Sequence, residues 1–204
     1  MKIGVVYYNM GNLRSVLNAF EKIGAKAQIV TEGEELKRFD KLFLPGVGAF
    51  GDAMAHLREH RLDEALREFA QTGRPLLGVC LGMQLLLEKS YEFGEHTGLG
   101  LIPGEVVRFD KGKMEEPLKI PQMGWNRLFP AGNSPLFEGV DSPYLYFVHS
   151  YHAVTDEKFV AGWTYYGYRF PSSLHYENIY GLQPHPEKSH RVGLQILKNF
   201  VEKC

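Results

Sequence analysis

The chain has 204 residues, of which 44% are hydrophobic and 23% are charged, and its formal net charge at pH 7 is −1. These proportions are typical of globular proteins and argue against disordered and fibrous classes. The balance of 23 basic and 24 acidic residues, without a Lys/Arg block, predicts no nucleic-acid partner, and the short apolar runs predict no membrane span.

The chain contains two cysteines, Cys80 and Cys204, which are too few for a disulfide framework in a protein of this length. The amino-terminal segment has a short apolar run without the small-residue cleavage site of a secretory signal. We therefore expect a cytoplasmic protein with free thiols. Because no linker, repeat or low-complexity segment is evident, we also expect one domain that covers residues 1–204.

The first half of the chain alternates between strand and helix patterns. Strands are predicted at KIGVVYY, AKAQIVT, DKLFLPGVG and PLLGVC. Helices are predicted from Asn12, as the N-cap, to Gly24, from Ala53 to Gln71 with a break near His60, and from Leu81 to Tyr91. Such alternation predicts a parallel sheet with helices on both faces.

The second half is dominated by strand-like segments separated by Gly/Pro turns. These segments are GEVVRF, YLYFVHSYHAV, FVAGWTYYG and NIYGLQPHPE. A final helix is predicted from His190 to Lys203. The sequence therefore predicts an α/β fold, with an open and mostly parallel sheet that is flanked by helices and extended by antiparallel strands in the C-terminal half.

Cys80 lies where the fourth predicted strand becomes a helix, in the sequence GVCLG. A nucleophile on such a tight turn has a strained backbone, and Gly78 and Gly82 relieve the crowding that larger residues would cause. The turn also places the sulfur at the carboxyl edge of the sheet and at a helix N-terminus, which favours the thiolate. A buried structural cysteine is the alternative interpretation.

His185 has the surroundings of a catalytic base for this cysteine. It follows a strand pattern and lies between two prolines in QPHPE, with Glu187 two residues further on. In an extended segment, residues i and i+2 point the same way, so the carboxylate can bond one imidazole nitrogen and leave the other for the sulfur. Cys80, His185 and Glu187 are therefore predicted to form a catalytic triad.

The sequence favours neither a metal nor a phosphate site. His149 and His152 lack the spacing of zinc signatures, and the PGVG loop lacks the Gly-Lys-Ser/Thr ending of a phosphate loop. We expect no metal and no cofactor. Instead, backbone N–H groups of the PGVG loop and of Leu81 are predicted to hold an oxyanion.

The segments PGVG, GVCLGMQLL and HPEKS, in this order, resemble those of the class I, triad-type glutamine amidotransferases. The resemblance implies a flavodoxin-like fold and hydrolysis of L-glutamine, with Cys80 as nucleophile, His185 as base and Glu187 as its partner. It also implies oxyanion and substrate contacts at Val47, Gly48, Leu81, Gln84, His149, Ser150 and Tyr151.

Other segments are similar to those of one branch of this family, the glutaminase subunits of imidazole glycerol phosphate synthases in histidine biosynthesis. These segments are YNMGNLRSV, LGLIPGEVVRF, PQMGWN and YFVHSYHAV. The similarity implies a heterodimer with a cyclase subunit that has a (β/α)₈ barrel fold. It places Asn12, Met123, Trp125 and Lys188 at the interface.

Two positions depart from the family pattern. Asn9 stands where glycine is common, and Pro184 stands where an aromatic residue is common before the histidine. The first departure concerns the conformation of the N-terminal loop, and the second concerns the backbone at His185.

Two alternative functions are compatible with parts of the sequence. One is the glutaminase subunit of another amidotransferase, or a related cysteine hydrolase; PQMGWN argues against it. The other is a non-catalytic binding module, which the loss of the cysteine, the histidine or the glutamate would indicate. All three residues are present.

Overall fold

The computed structural model describes residues 1–9 and 12–204, so Met10 and Gly11 of the predicted N-terminal motif lie outside the described residues. The α-helices in this part of the chain are Leu13–Lys22 (α1), Phe50–Glu59 (α2), Leu62–Gln71 (α3), Leu81–Leu85 (α4) and His190–Lys203 (α5). The strands are Ile3–Val6 (β1), Ala27–Val30 (β2), Lys41–Leu44 (β3), Leu76–Val79 (β4), Lys89–Ser90 (β5), His96–Thr97 (β6), Glu105–Arg108 (β7), Gln122–Pro130 (β8), Tyr144–His149 (β9), Tyr151–Val154 (β10), Val160–Tyr165 (β11), Arg169–Tyr176 (β12) and Ile179–Leu182 (β13). None of the helices described is long and apolar enough to cross a membrane.

The large sheet joins a parallel half to an antiparallel half. Among the described residues it has nine strands in the order β2-β1-β3-β4-β13-β12-β11-β8-β9. The strands from β2 to β13 are parallel, and each later neighbour is antiparallel. A smaller sheet has the order β10-β7-β5-β6. The predicted fold class, a mostly parallel sheet with antiparallel additions, is confirmed.

The parallel strands are buried on both faces, which explains their unbroken apolar sequences. On β3, Leu42 and Leu44 pack into the cluster that contains side chains of α2 and α3. Phe43 points to the other face and packs edge-on against Phe20 of α1, with ring centroids 5.4 Å apart. Helix α5 covers the same face through Phe200. The result is a three-layer arrangement of helices, sheet and helices.

Local signals define the first helix as predicted. The Asn12 side chain accepts a hydrogen bond from the backbone N–H of Ser15, and Gly24 follows the helix with φ of +77°. Asn9 has φ of +63°, in the left-handed region. Asparagine tolerates this region better than most non-glycine residues, so Asn9 is compatible with the turn.

Three predicted boundaries are wrong. The helix after Cys80 ends at Leu85 and not at Tyr91, because the N–H groups of Leu86 and Leu87 bond to carbonyls three residues back and the chain then turns into β5. The segment YLYFVHSYHAV forms two strands in different sheets, separated at Ser150. The helix expected from Ala53 begins at Phe50, although its break near His60 is confirmed.

The antiparallel half curves back towards the parallel half. Although β9 is the last strand in the sheet order, its Tyr146 forms a bridge with His185, just after β13. The backbone N–H of His185 donates to the Tyr146 carbonyl over 2.9 Å. Both halves of the sheet therefore hold the segment that carries the predicted catalytic base.

Candidate active site

Cys80 occupies the strained turn that its flanking glycines indicate. Its φ of 55° and ψ of −113° lie outside the usual regions for a residue with a side chain. A Cβ on Gly82 would lie 1.8 Å from the Leu44 carbonyl oxygen, and a Cβ on Gly78 would lie 2.5 Å from the Gly82 carbonyl oxygen. The two glycines are thus required by close backbone approach at the turn between β4 and α4.

His185 and Glu187 form a buried pair beside Cys80. The Nδ1 atom of His185 lies 2.8 Å from Oε1 of Glu187, and the two side chains are 3% and 5% exposed. Nδ1 therefore carries the proton that it donates to the carboxylate. Among the described residues, the buried Nε2 of His185 has no hydrogen-bond partner, so it is available to the nucleophile and to a substrate.

The electrostatics of the site keep His185 protonated. Burial by itself lowers its pKa, but Cys80 and then Glu187 favour the charged form, and together they raise the pKa to about 10. The imidazole is therefore held as imidazolium between the sulfur and the carboxylate at neutral pH. A proton held in this way can be given to a leaving group.

The PGVG loop lies next to the cysteine turn. Leu44 of β3 pairs with Gly78 of β4, so the two strands end at the same sheet edge. A Cβ on Gly46 would lie 3.0 Å from the Cβ of Leu81, which shows how closely the loop packs on the start of α4. Val47 is 40% exposed and Gly48 has φ of +103°. The loop therefore lies against the first residues of α4, directly after Cys80.

The predicted substrate residues Gln84 and Tyr151 are in contact. Nε2 of Gln84 donates to the Tyr151 carbonyl over 3.0 Å, and Gln84 is 5% exposed. Ser150, at the bend between β9 and β10, accepts a hydrogen bond from the Phe109 N–H through its carbonyl. The structure therefore places the HSY segment against the side of α4 that carries Gln84.

The side chain of His149 points into the protein. Its Nδ1 donates to the Tyr151 carbonyl over 2.8 Å, and the side-chain amide of Gln122 lies 2.9 Å from Nε2. Burial lowers the pKa of His149 to about 3, so the ring is neutral at physiological pH. Both ring nitrogens are engaged, and a contact between His149 and a substrate would have to use its backbone.

Sequence reasoning missed two polar groups at this site. Gln183 is fully buried, and its Nε2 lies 3.8 Å from Sγ of Cys80. The i, i+2 rule that associates Glu187 with His185 also places Gln183 on their side. The carboxylate of Glu92 accepts the backbone N–H of Phe50 over 2.6 Å, and burial raises its pKa. This contact fixes the start of α2, where the PGVG loop ends, and no local signal predicts it.

Two of the predicted interface residues lie next to the triad, and the other two are exposed on β8. Asn12 and Lys188 line a small crevice together with Val47, His185 and Glu187. Met123 and Trp125 of β8 are 65% and 47% exposed. The indole ring of Trp125 stacks on the imidazole of His190, with the centroids 4.9 Å apart.

Comparison with known proteins identifies the family. The profile of the family described as "Glutamine amidotransferase class-I" matches residues 5–204. The chain belongs to the class-I glutamine amidotransferase family. The observed triad geometry and the PGVG loop are consistent with this membership.

The amidotransferase is similar over nearly its whole length to curated proteins of one kind. It is 60% identical to the imidazole glycerol phosphate synthase subunit HisH of Wolinella succinogenes, with 98% of each chain covered. It is 61% identical to the protein of the same name in Sulfurimonas denitrificans, with 98% of this chain and 97% of the other covered.

Solved structures support the fold of the amidotransferase. A structure described as "Crystal structure of glutamine amidotransferase" matches with a TM-score of 0.76 at 20% identity, covering 98% of this chain and 97% of the other. The structure of PurLQS from Thermotoga maritima also matches with a TM-score of 0.76, at 22% identity and the same coverage. At these identities the likeness concerns the fold alone.

Proposed function

We propose that the amidotransferase is the glutaminase subunit of an imidazole glycerol phosphate synthase and that it hydrolyses L-glutamine through Cys80, His185 and Glu187. The observation that carries this proposal is the buried 2.8 Å contact between His185 and Glu187 beside a cysteine on a strained turn. The identity of 60% or more to two HisH subunits supports the choice of synthase.

The reaction begins with attack of the Cys80 thiolate on the side-chain amide carbon of glutamine. Backbone N–H groups at Val47 and Leu81 stabilise the oxyanion of the tetrahedral intermediate. His185 then donates its Nε2 proton to the leaving nitrogen as the C–N bond breaks, which releases ammonia and leaves a glutamyl thioester.

Hydrolysis of the thioester completes the cycle. His185, now neutral, takes a proton from a water molecule as its oxygen attacks the thioester carbon, and the C–S bond breaks to release glutamate. Glu187 keeps Nδ1 protonated throughout, so that Nε2 can accept and donate in turn. Gln84, Gly48 and the HSY segment hold the substrate.

The proposed partner is a cyclase subunit with a (β/α)₈ barrel, which uses the ammonia to form imidazole glycerol phosphate and aminoimidazole carboxamide ribotide. The exposed Met123 and Trp125, with Asn12 and Lys188 nearby, supply an apolar surface for docking beside the triad. We further propose that residues 1–204 form one domain, since both hydrophobic clusters pack on one sheet. The two free cysteines fit the cytoplasm as the compartment.

Control of the reaction is proposed to lie in the PGVG loop. Gly48 has φ of +103°, a conformation that other residues rarely adopt, and the loop forms one wall of the crevice shared with Asn12 and Lys188. Alignment of a loop N–H with the oxyanion would then depend on the docked and loaded cyclase, so that the isolated chain has weak activity.

Release of glutamate from glutamine tests this function. The purified chain is assayed alone and with a cyclase subunit and its ribotide ligand, and a strong rise on adding both is expected. Cys80→Ser should abolish the activity, and the matched variant Cys204→Ser should retain it. Full activity in Cys80→Ser would overturn the triad, and full activity of the chain alone would overturn the gating.

A further inference from the structure

Gln183 is a buried polar residue that the mechanism above does not use. Its side chain is fully buried, and its backbone N–H donates to the Ser172 carbonyl over 2.9 Å, so its position on the sheet is fixed. A buried amide needs hydrogen-bond partners, because an unsatisfied one costs free energy. The partners of Gln183 are Gln84 and Cys80.

The orientation of the Gln183 amide follows from its neighbours. Nε2 of Gln84 lies 3.0 Å from the Tyr151 carbonyl, which can only accept, so the NH₂ group of Gln84 must be on that side. The same NH₂ group lies 3.1 Å from Gln183 and therefore faces its Oε1 atom. The NH₂ group of Gln183 is then left to point at Sγ of Cys80, at 3.8 Å.

The two polar contacts of the sulfur favour opposite protonation states. The thiol can donate to the Val148 carbonyl at 3.9 Å, whereas the thiolate can accept from Gln183. A hydrogen bond donated to the charged form of a group stabilises that form. The titratable groups around the sulfur are His185, with Glu187 behind it, and Tyr8, whose pKa is raised by burial and by Cys80.

We propose that Gln183 is a positioning residue that stabilises the Cys80 thiolate by donating an N–H···S hydrogen bond, with Gln84 setting the orientation of its amide. The inference rests on the proposed function, in which this thiolate is the nucleophile. It also links substrate binding to reactivity, because the residue that is expected to contact glutamine is bonded to the group that holds the sulfur.

The test measures the alkylation of Cys80 by iodoacetamide as a function of pH, quantified on the Cys80-containing peptide by mass spectrometry. Gln183→Met keeps the volume and removes the donor, and we expect it to raise the midpoint of alkylation by about one pH unit. At pH values below the midpoint the rate of alkylation then falls about tenfold, and kcat for glutamine, measured at the same pH, falls with it. Gln183→Glu, which places a carboxylate by the sulfur, should raise the midpoint further.

Gln28→Glu, an exposed site on β2, is the matched control and should keep the wild-type midpoint. If folded Gln183→Met keeps the wild-type midpoint, the proposal is overturned. If only Gln183→Glu folds, an unchanged midpoint in that variant overturns it. In the wild-type chain, the NMR resonance of the Gln183 side-chain amide should shift over the same pH range in which Cys80 becomes reactive. A resonance that stays constant over that range also overturns the proposal. Failure of the proposed function appears separately, as glutaminase activity retained by Cys80→Ser.

Discussion

Acidification is expected to destabilise this protein through His149. Its pKa is about 3 in the folded protein and 6.5 when unperturbed, so between these values the unfolded chain binds a proton that the folded one excludes. The stability that the neutral His149 ring contributes is therefore fully present above about pH 6.5 and is lost as the pH falls towards 3. At about pH 5, which is roughly 1.5 pH units below the unperturbed pKa, the free energy of unfolding is lower by about 2 kcal/mol. For a chain of this size that lowers Tm by about 4 to 8 °C.

Thermal unfolding at neutral pH and at about pH 5 measures this effect. In His149→Phe the ring still fits among Phe109, Phe147 and Phe170, and the variant loses stability at every pH because Gln122 loses a partner. Its additional loss on acidification should be smaller than that of the wild type by about 2 kcal/mol.

His60→Phe, in the turn between α2 and α3, is the control and should show the wild-type response to acid. Each protein is compared with itself at the two pH values, so the contributions of other groups cancel between wild type and variant. These groups include His152, whose pKa burial also lowers. If wild type and His149→Phe lose the same number of degrees between the two pH values, the buried neutral imidazole does not account for the acid sensitivity.

Three further changes have defined outcomes. Gly82→Ala places a Cβ 1.8 Å from the Leu44 carbonyl and should cost roughly 3 kcal/mol or more in urea unfolding, whereas Gly112→Ala should stay within about 0.5 kcal/mol of the wild type. Glu187→Gln should lower kcat for glutamine by about 100-fold or more with KM retained, because the carboxylate that keeps Nδ1 of His185 protonated is lost. Steady-state kinetics measure this effect, and an unchanged kcat contradicts it. Lys41→Met removes a donor to two carbonyls at the end of α5 and should lower the free energy of unfolding by about 1–3 kcal/mol, with turnover per folded molecule unchanged.

The parallel half of the fold could be predicted because its signals are local. Apolar strands stand between helices that end at glycines, and Gly24 and Gly73 adopt the positive φ expected of such stops. Strand β12 was missed because its sequence carries Pro171 and two serines. Those serines, Ser172 and Ser173, are fully buried, and each hydroxyl takes part in a hydrogen bond with a neighbouring strand. These hydrogen bonds form only when the strands are paired, so the sequence of β12 does not reveal them.

The site was predictable to the extent that it lies on short segments. The glycines around Cys80 and the spacing of His185 and Glu187 are visible in the sequence, but the obstacle that requires Gly82 is the backbone of β3, a tertiary contact. The contact between Gln122 and His149 joins residues 27 positions apart on paired strands, and no pattern along the chain indicates it.

A glycine at position 80 would suit the backbone better than the cysteine does, because φ of 55° with ψ of −113° is a region that side chains disfavour. Holding such a conformation costs about 1–3 kcal/mol. Selection for stability alone would therefore favour replacement of the cysteine nucleophile. A lineage that no longer needed the ammonia could gain stability by that single change and keep the same sheet, so only continued selection for turnover retains Cys80.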